Sequence, residues 1–179
     1  MNVRLVMVLA VAAIAVSAFS ARAEKADREK ATQVEANRMT SDEARRISIF
    51  EGNVLLTKGT ITVRAERIVV RQDADGFQYA SASGAPARFR QRGDAVGGQE
   101  GVWIDGEALR VEIDEKNERI ELHDNARISR DQDEMRGSYI LFDQRSEFFS
   151  VSSAKGAPAS APGGRVRAVI QPKKPAARP

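Results

Sequence analysis

An internal repeat is the feature that most constrains the fold of this chain. Four six-residue segments share the pattern apolar-x-small-x-x-apolar: VEANRM (34–39), VRAERI (63–68), IDGEAL (104–109) and MRGSYI (135–140). Between them lie three turn-containing segments: FEGNV (50–54), SGAPA (83–87) and LHDNA (122–126). Repetition of one short unit is typical of folds that stack similar layers on each other.

The second repeat unit shows that each strand must bend to keep its apolar residues on one face. Val63 and Ala65 share one face of a strand, whereas Ile68 and Val70 have the opposite parity. One apolar face is restored only if a bulge or bend near the small residue absorbs an extra residue. Small residues suit such places because backbones approach closely there. The repeat therefore predicts a sheet folded over along one line, with its apolar faces turned inward.

The rest of the body also has the pattern of strands. Apolar and polar residues alternate with period two in residues 61–65, 109–113 and 119–122. Turn-forming residues interrupt the runs at close intervals, including Gly52, Gly84 and the Lys116-Asn117 pair. These features predict an all-β, antiparallel fold of many short strands, as in an open-ended, twisted jelly roll.

Both ends of the chain differ from the body. Arg4, the apolar residues 5–19 and the small-x-small residues 21–23 predict a cleaved secretory signal peptide over 1–23. We therefore expect a protein that is exported from the cytoplasm. The remaining predicted segments are an N-terminal lead (24–32), a β-domain (33–153), a flexible Pro/Gly/Ala linker (154–164), a last strand (165–171) and a disordered basic tail (172–179).

Composition excludes several classes of function. The formal charge of +3 comes from the two ends, because residues 24–153 hold 20 bases and 25 acids. A body with a net charge of −5 argues against a nucleic-acid partner. The chain has no Cys, which excludes disulfides, thiolate chemistry and a lipid-modified cysteine.

Five segments taken in order resemble the OstA-like family: FEGNV (50–54), KGTITV (58–63), AERIVV (65–70), GAPARFRQ (84–91) and GEALRVEID (106–114). The resemblance extends over about residues 33–153, with 165–172 as a last strand. Asp124 stands where the family pattern usually has Gly. The soluble member of this family is a periplasmic bridge protein of lipopolysaccharide transport.

The resemblance implies that the interior carries the acyl chains of lipopolysaccharide. Inward apolar residues are otherwise read as closed core, and only the resemblance favours a lipid-binding groove. The candidate groove residues are Phe50, Val54, Leu56, Ile61, Val63, Ile68, Val70, Phe89, Val111, Ile113, Ile120, Leu122, Ile128, Ile140 and Phe142.

The resemblance also implies partners. We expect lipopolysaccharide, through its lipid A, head-to-tail copies of the chain, and an inner-membrane component and an outer-membrane translocon that share the β-fold. An open sheet has two edges with unpaired backbone groups, which invite another strand. Val34 lies near one predicted edge and residues 166–170 near the other.

Few polar residues suggest a site. Arg88, Arg90 and Arg92 alternate along one strand face and could contact lipid phosphates, although a solvated face is the simpler reading. His123 is expected to be a turn residue. The acidic run Asp131, Asp133 and Glu134 lacks the Gly and distal Glu of a calcium loop. We therefore expect no catalytic residue, no metal site and no cofactor.

Two other classes of function remain open at this point. A structural or adhesive β-solenoid that polymerises around a dry core would show the same repeats and edges. An enzyme acting on glycans would need two carboxylates that converge in a cleft. Glu112 and Glu121 face outward by parity, but nothing in the sequence marks them as a pair.

Overall fold

The computed structural model describes residues 27, 30–76, 78–93, 101–153 and 166–171. The predicted signal peptide (1–23), linker (154–164) and basic tail (172–179) lie outside the described residues, as does most of the predicted lead (24–32). No helix in the described ranges is long and apolar enough to cross a membrane. The strands are β1 Gln33–Glu35, β2 Arg38–Asp42, β3 Ile47–Lys58, β4 Ile61–Gln72, β5 Gln78–Arg92, β6 Trp103–Asp114, β7 Arg119–Arg130, β8 Asp133–Asp143, β9 Phe148–Ser152 and β10 Arg167–Val169.

All ten strands belong to one antiparallel sheet with the order β1-β3-β4-β5-β6-β7-β8-β10. At one end, β1 and β2 pair with different halves of β3. At the other end, β9 and β10 pair with different halves of β8. Among the described strands the two ends do not pair with each other, so the sheet is open. The prediction of an all-β, antiparallel, open-ended fold is confirmed.

A shift in register marks the middle of every long strand pair. The shifts lie between Glu51 and Val54, Arg64 and Arg67, Ser83 and Ala87, Glu107 and Arg110, and His123 and Ala126. We call this line the spine, and it confirms the predicted line of folding. Leaf A comprises β1, β10 and residues 54–58, 61–65, 87–92, 103–108, 126–130 and 133–137. Leaf B comprises β2, β9 and residues 47–51, 67–72, 78–83, 110–114, 119–123 and 139–143.

The backbone turns at the spine by adopting left-handed conformations. Gly52 and Asn53 have φ of +79° and +50° in β3, and Asp124 and Asn125 have φ of +64° and +53° in β7. Asp and Asn tolerate this conformation better than other non-Gly residues. Asp124 therefore adopts in β7 the turn that Gly52 adopts in β3.

Two details of the sequence prediction are wrong. The strands β3 to β8 are long, with 11 to 15 residues each, because they continue through the spine instead of ending at Gly52 or Gly84. The third repeat unit is also displaced by two residues. Ala108 lies at the spine and is fully buried, and Leu109, which the repeat assigned to the apolar face, is 42% exposed.

Candidate functional site

The space between the leaves brings together all fifteen predicted groove residues. Twelve are buried members of one hydrophobic cluster, and Ile61, Val70 and Ile113 are partly buried against it. The cluster contains residues from both leaves, such as Val63 in leaf A and Ile68 in leaf B. The structure thus places these side chains in the interior, and their contact with lipid stays a prediction.

Small residues that were not among the predicted site residues let the leaves meet at the spine. Ala82, Ala87, Ala108 and Ala126 are at most 2% exposed and belong to the same cluster. Their short side chains allow close approach of the backbones where the sheet folds. The alternation of apolar residues carried this signal, because each alanine has the inward parity of its strand segment.

Gly106 and Phe89 form a second close contact in leaf A. The two residues are direct partners across β5 and β6. A Cβ atom added at Gly106 would lie 2.0 Å from Cε1 of Phe89, so the ring covers the glycine backbone. The buried ring can occupy this place only because Gly106 has no side chain.

The edge opposite the spine, which we call the seam, is closed by polar side chains. Pairs of polar side chains join the tips of leaf A to those of leaf B, among them Lys58 with Glu115, Gln91 with Gln144, and Arg130 with Glu147. Gln144 Nε2 donates to Gln91 Oε1 at 2.8 Å, and the Arg130 and Glu147 side chains meet at 2.7 Å. Beside β1, Thr32 Oγ1 donates to Gln78 Oε1 at 3.0 Å.

A cavity of about 50 Å³ lies directly inside the seam. Its apolar wall includes Leu56, Ile61, Ala80 and Ile113, and its polar wall is formed by seam residues such as Lys58, Gln91, Glu115 and Gln144. Gln91 is fully buried, and its Nε2 has no hydrogen-bond partner among the described residues. An unsatisfied buried donor is costly, so this amide suits a ligand with an acceptor group.

The three arginines predicted to contact phosphate lie on the outer side of leaf A. Arg88 pairs with Glu107 at 3.3 Å and Arg90 pairs with Asp105 at 3.6 Å. The Arg90 guanidinium also lies 4.4 Å from the centroid of the Trp103 ring, and that of Arg92 lies 5.9 Å from it. These contacts point away from the interior, and the phosphate role stays a prediction.

The other polar candidates, His123 and Glu134, have positions that are explained by the fold. His123 was expected in a turn, but it lies within β7 and is 7% exposed. Glu134, in the acidic run at the start of β8, accepts hydrogen bonds from Arg127 and Arg136. These bonds lower the pKa of Glu134 to about 2. Glu134 therefore belongs to a ladder of ion pairs on the outside of leaf A.

Both open ends of the sheet expose apolar side chains. At the first end, Met39 of β2 is 58% exposed. At the second end, Phe148 of β9 is 58% exposed, Val169 of β10 is 47% exposed and Ile170 is 78% exposed. Val34, by contrast, packs partly against the interior cluster. Each end thus combines an edge strand with apolar surface.

Comparison with known proteins shows which family has this architecture. The model of the family "LptA/(LptD N-terminal domain) LPS transport protein" matches residues 33–148. The lipopolysaccharide export system protein LptH of Pseudomonas aeruginosa is 24% identical over 143 residues, which is 79% of each chain. The export system protein LptA of Haemophilus influenzae is 27% identical over 117 residues, and that of Escherichia coli K12 is 25% identical over 122 residues.

The matches with the two LptA proteins cover 64% and 65% of this chain, and 65% and 63% of those proteins. The match thus spans slightly less than two thirds of their length. A crystal structure of LptH from Pseudomonas aeruginosa, described as the periplasmic component of the lipopolysaccharide transport device, has the same fold. It matches with a TM-score of 0.72 at 23% identity, over 82% of this chain and 99% of that chain.

The family match covers more than half of the chain and includes the five segments that suggested the OstA-like resemblance. It also confirms the prediction that the chain is not an enzyme, since the family is one of transport proteins. The chain therefore belongs to the LptA/(LptD N-terminal domain) family of lipopolysaccharide transport proteins.

Proposed function

We propose that this protein binds lipopolysaccharide in the periplasm and shields the acyl chains of lipid A between its two leaves. The observation that carries the proposal is an apolar interior closed on one side by the spine and, within the described residues, on the other side by polar side-chain pairs. The names of the LptH and LptA relatives, which are export system proteins for lipopolysaccharide, support the choice of ligand.

Lipid entry requires the leaves to separate at the seam. Binding pockets for ligands typically have about 300–1,000 Å³, and the cavity inside the seam has about 50 Å³. The spine holds the leaves together through continuous backbone, whereas the contacts across the seam in the described part of the chain are pairs of polar side chains. We therefore infer that the seam is the gate and that the spine is the hinge.

The free energy gained by burying an acyl chain is large enough to offset the free energy lost when the seam opens. A hydrogen-bonded or ion pair that is partly exposed contributes about 1 kcal/mol, so the seam pairs together contribute a few kcal/mol. Burial of about ten methylene groups contributes about 8 kcal/mol before ordering costs. One acyl chain therefore offsets the loss of the seam pairs and binds without needing a single decisive contact.

Gln91 gives the gate a polar contact for the ligand. Its buried Nε2 has no partner within the described residues, and it lies at the boundary between the apolar wall and the seam. The acyl chains of lipid A end in ester or amide carbonyls, which accept hydrogen bonds. A carbonyl at this boundary would satisfy the Gln91 donor while the chain lies between the leaves.

The two open ends support a bridge between membranes. Edge strands that expose both backbone groups and apolar side chains favour addition of a further strand. Because the two ends differ, one end can meet the other end of a second copy in an interface that does not close. We propose that the chain associates head to tail, with an inner-membrane component at one end of the row and an outer-membrane translocon at the other.

Photo-crosslinking at two positions of β6 tests the lipid-binding proposal. Ile113 lines the cavity, whereas Arg110 lies on the outside of the same strand. A photoreactive residue at position 113 should capture lipopolysaccharide, and one at position 110 should not. Equal capture at both positions, or none at 113 in the folded protein with excess ligand, would favour a structural β-solenoid with a dry core.

Truncation tests the bridging proposal separately. Removal of residues 165–179 deletes β10 and its exposed apolar residues, so it should abolish concentration-dependent oligomers in analytical ultracentrifugation. Removal of residues 172–179 alone is the control, because it leaves β10 in place. Identical size distributions for all three chains would exclude this edge as the contact.

A further inference from the structure

A cluster of three potential metal ligands lies on the outer face of leaf B, away from the interior. Glu112 of β6 and Glu121 of β7 are direct partners in the register of this strand pair. His123 is two residues further along β7, so its side chain projects from the same face as Glu121. The three residues thus form one group on two neighbouring strands, outside the proposed lipid site.

The distances within the cluster fit coordination of one ion. His123 Nε2 is 3.5 Å from Glu112 Oε2 and 3.3 Å from Glu121 Oε2. Each residue offers a ligand atom, and these atoms all lie within 4.8 Å of one another. A tetrahedral zinc site with bonds of about 2.0–2.1 Å places neighbouring ligand atoms about 3.3 Å apart. The imidazole is therefore already at ligand spacing from both carboxylates.

The environment of the His123 imidazole also indicates a ligand, independently of the distances. His123 is 7% exposed, and its Nε2 has no hydrogen-bond partner among the described residues. This nitrogen faces the two carboxylates, whose side chains are 19% and 21% exposed. A buried ring nitrogen without a partner is costly, whereas the carboxylates remain reachable from solvent. An ion could enter through the carboxylates and satisfy the imidazole beneath them.

Neighbouring side chains hold both carboxylates in place. Tyr79 hydrogen-bonds to Glu112, and Tyr139 hydrogen-bonds to Glu121. A phenol O–H donates to a carboxylate, so each tyrosine fixes the position of the glutamate that it contacts. Arg110 Nε lies 3.5 Å from Glu112 Oε1, which leaves Oε2 facing His123. Such partners around the ligands orient them and typically strengthen metal binding.

We propose that Glu112, Glu121 and His123 form a binding site for a divalent transition metal ion of the zinc type. One imidazole with two carboxylates suits zinc or cobalt better than calcium or magnesium, which prefer oxygen ligands alone. Three protein ligands leave a fourth position for water or for a group from another molecule. A bound ion would clamp β6 to β7 and stabilise leaf B.

Cobalt titration of the mature chain, without a histidine tag, tests the site. Tetrahedral Co²⁺ gives strong visible absorption, so the wild-type protein should develop this spectrum with one equivalent of Co²⁺ and lose it when Zn²⁺ is added. Zn²⁺ should also raise the Tm, and a chelator should reverse the rise. Glu112→Gln and Glu121→Gln should each weaken binding by about tenfold or more.

Both glutamine variants keep the size of the side chain and a hydrogen-bond acceptor for tyrosine, so they should fold. Glu107→Gln is the control, because Glu107 is a carboxylate of β6 outside the cluster, and this variant should bind like wild type. Absence of the tetrahedral spectrum at millimolar Co²⁺ would overturn the proposal. Unchanged affinity in both Glu112→Gln and Glu121→Gln would also overturn it.

Discussion

The spine and the seam are the two lines where leaf A meets leaf B, and they are built from opposite chemistry. At the spine, Ala87 and Ala108 are fully buried and the backbone itself connects the leaves. At the seam, side chains such as Lys58 and Glu115 make the connection, and a cavity lies behind them. Each long strand thus passes through the spine at its middle and reaches the seam at both of its ends.

This difference gives the two lines the separate roles that the proposed function requires, a stable fold at the spine and access to the interior at the seam. Separation at the spine would expose buried apolar surface and break backbone pairing. Separation at the seam exchanges a few polar contacts for contacts with water. Stability should therefore depend mostly on residues near the spine, whereas access to the interior should depend on the seam.

The largest effect on stability should come from truncation beside the spine. Ile68 is fully buried next to it, so Ile68→Ala should lower the free energy of unfolding by about 2–5 kcal/mol. Ile113 is partly exposed beside the cavity, and Ile113→Ala should cost less than about 2 kcal/mol. Urea denaturation of the two variants measures both values, and equal losses would contradict the distinction between spine and seam.

A smaller loss should follow from a methyl group added in leaf A. Gly106→Ala places Cβ against the Phe89 ring and should cost about 1–3 kcal/mol, because the buried ring must move. The variant Phe89→Leu removes the ring atoms at the contact. The cost of Gly106→Ala should therefore be lower in the Phe89→Leu background, which a double-mutant cycle measures. Additive losses in the cycle would mean that the ring does not limit position 106.

The smallest effect on stability should come from Glu134, which lies on the outer face of leaf A, away from the spine and the seam. Arg127 and Arg136 lower the pKa of Glu134 from its ordinary value of 4.5 to about 2. The ionised Glu134 therefore stabilises the folded state above about pH 4.5, and this contribution is lost as the pH falls towards 2. The difference in Tm between wild type and Glu134→Gln should shrink over that range. A difference that is constant with pH would contradict the assignment.

The sequence predicted the spine better than the seam, for a physical reason. The spine leaves a local mark, since a change of parity beside a small residue is visible within six residues, as in 63–68. The seam joins residues that are far apart in the chain: Lys58 and Glu115 are separated by 57 in sequence number, and Gln91 and Gln144 by 53. Their polar side chains stand next to turns, where solvated residues are common, so nothing local distinguishes them.

Part of the cluster of Glu112, Glu121 and His123 on leaf B could be predicted from the sequence. The turn at Lys116-Asn117 fixes the register of the hairpin, and that register pairs Glu112 with Glu121 and Ile113 with Ile120. Parity alone predicts that both glutamates face outward, but the prediction that they are partners also requires the register set by the turn. Burial of His123 beside Tyr139 depends on the adjoining strand β8 and could not be derived from the hairpin alone.

Locking the seam tests the central claim most directly. The chain has no Cys, so Lys58→Cys and Glu115→Cys introduce two unique thiols that a short bismaleimide can join across the seam. Two controls isolate the effect of the lock. One is the same double variant with each thiol blocked by a monofunctional maleimide, and the other joins Arg90→Cys to Asp105→Cys within leaf A.

Lipopolysaccharide capture by a photoreactive residue at position 113 is then measured in each protein. If the seam is the gate, the protein joined across it should lose capture, and both controls should retain it. Full capture by the protein with the locked seam would contradict the account, because lipid would then reach the interior without separation of the leaves.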